Sequence, residues 1–271
     1  PLIVKLHGSD TYFCHLDNRP VKAKNKALEK LALQNAKGLL SVSKYTADVT
    51  KKIFQLKRNF TVIPNSIDID YFSFENNNNT SEKTILYFGT LIRKKGLLEL
   101  PHIFNEVYKK NKNAKLVLIG RDAADVISGN SSTWSMMQQL FDKDALKNVE
   151  YRGGIPYQEM KAQIMNATVC VFPTFAEALP VSWIEAMAMQ KAIVASNIGW
   201  ATEIIDDNIN GYLVHPKNHL EFASKIVNLL EDNEKNKQFG QEARKKAISK
   251  FSLDIVAKQN IEFYKAQINY D

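Results

Sequence analysis

The sequence lacks the long apolar runs, cysteine sets and glycine-rich motifs that mark several large classes of protein. It contains no run of eighteen apolar residues, so we expect no membrane-spanning helix. Its two cysteines, Cys14 and Cys170, are too few for a disulfide framework or a metal cage. Because Cys170 lies within the apolar run TVCVFPT, we expect a buried thiol in a reducing compartment such as the cytoplasm.

Glycine-rich phosphate loops are also missing. The sequence has neither a GxGxxG nor a GxxxxGKS pattern, which argues against dinucleotide oxidoreductases and P-loop NTPases. Basic residues are not interleaved with aromatic residues as they are on single-strand-binding surfaces. We therefore do not expect a nucleic acid partner.

Positive charge is present in excess, with a formal net charge of +7. It is concentrated in RPVKAKNKALEKLALQNAK, residues 19–37, where apolar residues recur at helical spacing beneath the lysines. The apolar positions are Val21, Ala27, Leu28, Leu31 and Ala32. Such a helix is either an ordinary solvated surface or a contact site for an anionic membrane or acceptor, and both interpretations stay open.

From residue 84 onward, short apolar runs alternate with segments of helical periodicity. This alternation is typical of a parallel sheet with helices on both faces, so we predict a doubly wound α/β domain. Ligands of such domains bind at the carboxyl ends of the strands. The predicted strands are TILYFG (84–89), AKLVLIG (114–120), VEYRGG (149–154), TVCVFPT (168–174), AIVASN (192–197) and GYLVH (211–215).

The first seventy residues predict only part of a second α/β unit. PLIVKLHG, GLLSVS and FTVIPN are strand-like, but three strands are too few to close a domain. Since Pro1 opens directly on an apolar strand, we expect the chain to begin inside this unit. The polar tract ENNNNTSEK (75–83) predicts a linker to the domain that follows.

A cationic turn follows the first strand of the predicted domain. In GTLIRKKG (89–96), Arg93, Lys94 and Lys95 stand between two glycines at a strand-to-helix junction. Basic clusters in turns are usually plain surface. At the binding edge of the sheet, beside the amides of a helix start, the same cluster predicts a phosphate site.

The segment EALPVSWIEAMA (177–188) places two carboxylates in apolar surroundings. Pro180 suits the start of a helix, and the free N–H groups near Val181 then face the same edge as the cationic turn. Glu177 precedes this helix and Glu185 lies about one turn inside it. A single helical glutamate is more often exposed to solvent. Two glutamates flanking an anion site favour a ligand with a hydroxyl-rich group at each end, because carboxylates accept hydrogen bonds.

A third loop, RGGIPYQ (152–158), follows another predicted strand. Its paired glycines allow the backbone to approach a flat group closely, so the backbone of Ile155 is a candidate partner for a nucleotide base. An ordinary tight turn explains the same residues equally well.

These motifs resemble those of the retaining glycosyltransferases of family 4, over nearly the whole chain. The family has the GT-B architecture, an α/β fold with two Rossmann-like doubly wound domains facing a cleft. The matching segments are HGSD (7–10), SVSKYTAD (41–48), VIPNSID (62–68), GTLIRKKG (89–96), EALPVSWIEAMA (177–188) and NGYLV (210–214). The resemblance implies four parts: an incomplete first domain (1–74), a linker (75–83), a nucleotide-sugar-binding domain (84–251) and a terminal helix crossing back (252–271).

The resemblance also implies a role for each acidic candidate. Glu177 is expected to hold hydroxyls of the transferred sugar, and Glu185 is expected to hold the ribose hydroxyls. His7 resembles the histidine that reaches the donor sugar from the first domain, although a lone histidine at a strand end is often structural. Together with Lys95, the residues His7 and Glu177 form the expected catalytic group.

The remaining donor contacts follow from the same resemblance. Lys95 and Arg93 are expected to neutralise the diphosphate, the backbone around Leu179 and Val181 to add hydrogen bonds, and Ile155 to contact the base. No metal or other cofactor is expected, since cations and a helix start replace a metal ion. The family usually has arginine directly after the glycine of the phosphate loop, where this sequence has Thr90.

The expected activity is transfer of a sugar, with retention of configuration, from a nucleoside-diphosphate sugar to a glycan or lipid-linked acceptor. Surface polysaccharide or glycoconjugate synthesis is the expected setting, with peripheral contact at the inner face of the membrane left open. Two alternatives also stay open. A nucleotide-sugar epimerase has a related fold, and a noncatalytic nucleotide- or carbohydrate-binding module would fit an incomplete first domain and Thr90.

Overall fold

The computed structural model describes residues 2–73 and 83–268. The predicted linker, 75–83, lies outside the described residues except for Lys83. The described chain forms two parallel sheets, one of three strands and one of six. None of the helices in the described ranges combines the length and apolar character needed to cross a bilayer.

The first sheet is small and has the order β1-β2-β3, with all strands parallel. Its strands are β1 (Ile3–Leu6), β2 (Gly38–Ser41) and β3 (Thr61–Val62). Helices α1 (Asp10–Leu16) and α2 (Ala23–Asn35) connect the first two strands, and α3 (Lys44–Phe54) connects the last two. All four residues of β2 are buried, as expected for a central parallel strand.

The second sheet has the order β6-β5-β4-β7-β8-β9, and every neighbouring pair is parallel. The strand order reverses direction between β4 and β7, which is where doubly wound domains bind ligands. The strands are β4 (Thr84–Phe88), β5 (Lys115–Ile119), β6 (Val149–Tyr151), β7 (Val169–Phe172), β8 (Ala192–Ser196) and β9 (Tyr212–Val214).

Helices cover both faces of this sheet, and its central strands are therefore apolar along most of their length. β7 and β8 are buried at every residue, and burial raises the pKa of the Cys170 thiol to about 12. The prediction of a buried thiol is therefore confirmed. The helices are α4 (Leu100–Lys110), α5 (Thr133–Gln138), α6 (Lys143–Leu146), α7 (Tyr157–Asn166), α8 (Val181–Ala188), α9 (Ala201–Ile204), α10 (His219–Glu231) and α11 (Asn233–Lys246).

The last helix, α12 (Leu253–Ile268), returns to the first sheet after a π-helical turn at Ala247–Phe251. Val256 on α12 is buried in a small apolar cluster with Leu40 and Ile63 of the first unit. The packing of the first unit therefore includes the carboxyl-terminal helix. Residues just before the predicted boundary at 74 also cross over, since Ile67 and Phe72 pack in the core of the second sheet.

The basic segment forms helix α2, and two leucines of its apolar stripe are exposed. Leu28 and Leu31 are 55% and 58% exposed, and the buried residue of the helix is Leu33. Both interpretations of this segment, a solvated surface and a contact site for an anionic membrane or acceptor, are consistent with the exposed leucines. Leu33 packs with Leu6 and other apolar residues of the first unit, which turns the other two leucines outward.

Candidate active site

A cavity of about 500 Å³ opens at the carboxyl ends of β4, β5 and β7. This is the point where the strand order reverses, and the volume lies in the range typical of small-molecule sites. The loops after β4, β5, β6 and β7, together with residues of α7 and α8, supply the walls. The lining residues are Phe88, Gly89, Thr90, Lys95, Ile119, Gly120, Arg121, Gly154, Ile155, Tyr157, Met160, Glu177, Leu179, Pro180, Val181, Ser182 and Glu185.

The cationic turn between β4 and α4 sends its three basic side chains to three different places. Only Lys95 lines the cavity, and its Nζ lies 3.1 Å from Oε1 of Glu177. Nζ of Lys94 lies 3.6 Å from the centroid of the Phe13 ring, and burial lowers the pKa of this ammonium. The turn therefore offers one cation to a ligand in the cavity.

Arg93 is engaged away from the cavity. Its Nε and Nη2 donate to the two carboxylate oxygens of Asp125 at 2.8 and 2.7 Å. This contact, together with hydrogen bonds from Ser128, holds the pKa of the buried Asp125 carboxyl well below its usual range. For Arg93 to bind the diphosphate this pair would have to open, and its assignment stays a prediction.

A second cation at the cavity, Arg121, was missed in the sequence. It comes two residues after β5 and lies on the cavity wall. Its guanidinium forms no ion pair with the residues described here, 2–73 and 83–268. The rule that identified Lys95, a basic residue just beyond the carboxyl end of a predicted strand, also applies to Arg121.

Helix α8 begins at the cavity without a side-chain cap. Pro180 is the N-cap residue and makes no capping hydrogen bond, and Val181 and Ser182 line the cavity. The first N–H groups of a helix have no partner inside it, and the helix dipole places partial positive charge there. Lys95, Arg121 and the α8 start thus surround one space with positive potential.

The two predicted glutamates stand on different parts of the wall. Glu177 precedes α8 and faces Lys95, while Glu185 lies one turn inside the helix and is only 6% exposed. The Tyr157 hydroxyl donates to Oε1 of Glu185 at 2.7 Å. Burial raises the pKa of the Glu185 carboxyl, and the hydrogen bond from Tyr157 opposes that shift. Tyr157 was missed because its partner is 28 residues away.

The remaining predicted contacts fall into two groups. Ile155, Leu179 and Val181 line the cavity as expected, although their roles stay predictions. His7 does not line it. This histidine borders a neighbouring cavity of about 370 Å³ that shares Val181 with the first, and burial together with Lys5 lowers its pKa.

Replacing Glu185 by glutamine is expected to stabilise the ligand-free protein at neutral pH. Since the folded pKa of this carboxyl is raised, the folded state binds the extra proton, and stability falls as pH rises from 4.5 through the folded pKa. Removing the buried charge should raise the free energy of unfolding by about 1 kcal/mol at neutral pH. Thermal unfolding at pH 8 and pH 4.5 checks this, with a gain expected only at pH 8. The exposed Glu262→Gln is the control, and an equal gain at both pH values would contradict the account.

The fold and the cavity are those of a doubly wound α/β protein with a ligand site at the carboxyl edge of its sheet. Comparison with known proteins shows the family. Residues 68–246 match the family model described as glycosyl transferases group 1, and residues 1–71 match glycosyltransferase family 4. The chain belongs to the group 1 glycosyl transferases.

Several curated relatives are similar over much of the chain. An uncharacterized glycosyltransferase of Methanocaldococcus jannaschii is 25% identical over 254 residues, covering 94% of this chain and 65% of the relative. The capsular polysaccharide biosynthesis glycosyltransferase CapM of Staphylococcus aureus is 25% identical over 248 residues, covering 84% and 61%. The chain spans 45%, 65% and 47% of the length of the first three curated relatives it matches.

Solved structures share the GT-B fold with this chain. Sucrose-phosphate synthase from Thermosynechococcus elongatus superimposes with a TM-score of 0.85 at 21% identity, covering 99% of this chain and 68% of that one. Anabaena HepE in complex with UDP and glucose gives 0.82 at 19% identity, covering 98% and 71%. The predicted fold class and family are confirmed.

Proposed function

We propose that this chain is the donor-binding part of a retaining glycosyltransferase that uses a nucleoside-diphosphate sugar. The observation that carries the proposal is one cavity in which Lys95, Arg121 and the uncapped start of α8 meet, with a glutamate on either side. Positive groups around one space suit a diphosphate. Two carboxylates suit hydroxyl-rich groups at its two ends.

The parts of the donor are assigned by chemistry. The diphosphate lies between Lys95, Arg121 and the first N–H groups of α8. The transferred sugar lies against Glu177. The ribose lies against Glu185 and the Tyr157 hydroxyl, and the base lies near Ile155, where Gly153 has a φ of +69° that turns the loop. The Anabaena neighbour was solved with UDP and glucose, which supports a donor of this class.

The mechanism follows from the charge that develops on the leaving group. When the bond between the sugar and the nucleoside diphosphate breaks, negative charge grows on the leaving phosphate. Lys95 and the α8 amides stabilise this charge more strongly in the transition state than in the bound donor. Lys95 also contacts Glu177, so one ammonium links the leaving phosphate to the carboxylate at the sugar.

The proposed reaction uses side-chain and backbone positive charge in place of a metal ion. Among residues 2–73 and 83–268, no group of three His, Cys, Asp or Glu side chains is arranged to hold a metal. Retention of configuration follows if the acceptor hydroxyl enters from the face that the phosphate leaves. We propose this geometry because the motifs of this chain resemble those of the retaining glycosyltransferases of family 4.

The proposed acceptor is a glycan or lipid-linked saccharide in surface polysaccharide or glycoconjugate synthesis. The similarity to CapM, whose name refers to capsular polysaccharide biosynthesis, supports this setting. Exposed Leu28 and Leu31 on the basic helix α2 suit contact with an anionic membrane that carries such an acceptor. Co-sedimentation with vesicles, with and without anionic lipid, tests this contact, and equal binding to both would contradict it.

Acceptor-dependent release of nucleoside diphosphate is the expected result for the full-length protein. A panel of nucleotide sugars is first screened by thermal shift, and the stabilising donor is then incubated with and without saccharide acceptors. Release that requires an acceptor supports transfer. Conversion of the donor to another sugar without an acceptor would indicate an epimerase. Binding with neither reaction, unchanged by Glu177→Gln, would indicate a noncatalytic module.

A further inference from the structure

The loop that carries Glu177 is held by the first unit of the chain through three successive backbone carbonyls. The Tyr12 hydroxyl donates to the carbonyl oxygen of Glu177 at 2.7 Å, and the Ser43 hydroxyl donates to that of Ala178 at 2.8 Å. Nδ2 of Asn65 donates to the carbonyl oxygen of Leu179 at 2.7 Å. We call residues 177–180 the glutamate loop.

The side chains that donate these hydrogen bonds come from three different parts of the first unit and are largely shielded from water. Tyr12 lies on α1, Ser43 is the N-cap of α3, and Asn65 follows β3. Tyr12 and Ser43 are fully buried, as is Thr46, whose hydroxyl makes a second contact of 3.2 Å with the Ala178 carbonyl. A buried carbonyl without a partner is costly, so the loop conformation and the seating of the first unit stabilise each other.

Fixing these carbonyls also fixes the N–H groups. In a planar trans peptide, the N–H of the next residue points opposite to the carbonyl. The N–H groups of Ala178 and Leu179 therefore point away from Tyr12 and Ser43. Since Glu177 and Leu179 line the donor cavity, the same contacts set the direction of the carboxylate and the path of the backbone into α8.

Helix α3 is itself anchored to the second domain. The Glu203 carboxylate accepts hydrogen bonds from the backbone N–H of Lys44 at 2.8 Å and of Tyr45 at 2.9 Å. Gly199 leaves room for the Tyr45 ring, because a Cβ at this glycine would lie 2.5 Å from it. Ser43 is therefore held in a defined position relative to the glutamate loop.

We propose that Tyr12, Ser43 and Asn65 are positioning residues that aim the glutamate loop at the donor. None of the three lines the donor cavity, and they act by holding the carbonyls of residues 177–179 so that Glu177 and the α8 start face the diphosphate sugar. The donor site is then complete only when the first unit is seated on the loop. This inference rests on the proposed function.

The test measures nucleoside diphosphate binding by calorimetry with the intact protein. The probe is whichever of UDP, GDP, ADP and dTDP the wild type binds most tightly. Tyr12→Phe and Asn65→Ala each remove one hydrogen bond to a carbonyl of the glutamate loop. Each variant is expected to raise the Kd about three- to ten-fold. Tyr45→Phe removes a hydroxyl at the same interface from a ring that packs on Trp200, and its Kd should stay within about two-fold of wild type.

The Kd separates positioning from a loss of folded protein. Unfolded molecules lower the binding stoichiometry and leave the Kd of the folded molecules unchanged. A raised Kd at full stoichiometry supports the inference. Wild-type binding with unchanged Kd in both variants would overturn it and leave the proposed function standing. A wild type that binds none of the four diphosphates would overturn the proposed function, and the inference with it.

Discussion

Replacing Lys95 by alanine is expected to lower the rate of sugar transfer about 10²–10³-fold, the usual cost of removing one preorganised donor from a developing negative charge. Lys95 is the one basic side chain of the cationic turn that lines the cavity. The substitution should also weaken binding of a nucleoside diphosphate far more than binding of the nucleoside. Steady-state kinetics of the full-length protein and calorimetry with both ligands measure these effects.

Lys94→Ala is the matched control for this experiment. Lys94 is the neighbouring residue with the same charge, and its ammonium lies over the Phe13 ring outside the cavity. The transfer rate of this variant should remain within about three-fold of wild type, since the protein loses a contact with the Phe13 ring that lies outside the cavity. Equal losses in the two variants would mean that general charge, and not a phosphate contact, governs the reaction. Arg93→Ala in the same series tests the role predicted for Arg93.

Gly96→Ala is expected to destabilise the protein by roughly 3 kcal/mol, because strain and overpacking combine at this position. Gly96 has a φ of +74°, and a Cβ there would lie 1.8 Å from the carbonyl oxygen of Pro173. The turn and the loop after β7 are in contact here, since the N–H of Phe175 donates to the Lys94 carbonyl at 2.8 Å. Pushing them apart should also separate Lys95 from Glu177, so transfer activity should fall with stability.

Gly129→Ala is the control that isolates the steric contact. Gly129 has the same φ of +74°, but a Cβ there would meet nothing within 4 Å. This substitution should lower the free energy of unfolding by only about 1 kcal/mol, the cost of placing alanine in a left-handed backbone conformation. Thermal unfolding should show a decrease in Tm of roughly 6–12 °C for Gly96→Ala. Decreases of equal size in the two variants would show that close approach of the turn to β7 contributes nothing.

The six-stranded sheet was predictable because its central strands are buried on both faces. Runs such as ILYF (85–88) and VCVF (169–172) are apolar throughout and can be recognised without tertiary information. The face of α2 could not be predicted in this way. Leu33 is the buried side chain of this helix, and nothing in the local periodicity distinguishes that residue from Leu31.

Position along the chain identified much of the candidate site. Lys95 and Ile155 line the cavity because residues just beyond the carboxyl ends of parallel strands share one edge of the sheet. Pairings between distant residues could not be predicted. Arg93 is bound by Asp125, 32 residues away, and Glu177 has its carbonyl held by Tyr12, 165 residues away. Only the packed structure brings such groups together.

A crystal structure of the full-length protein with a nucleotide sugar tests the central claim most directly. The account predicts the pyrophosphate between Lys95 and the first N–H groups of α8, with sugar hydroxyls at Glu177 and ribose hydroxyls at Glu185. A pyrophosphate bound at another edge of the sheet, with both glutamates remote from the ligand, would contradict the account.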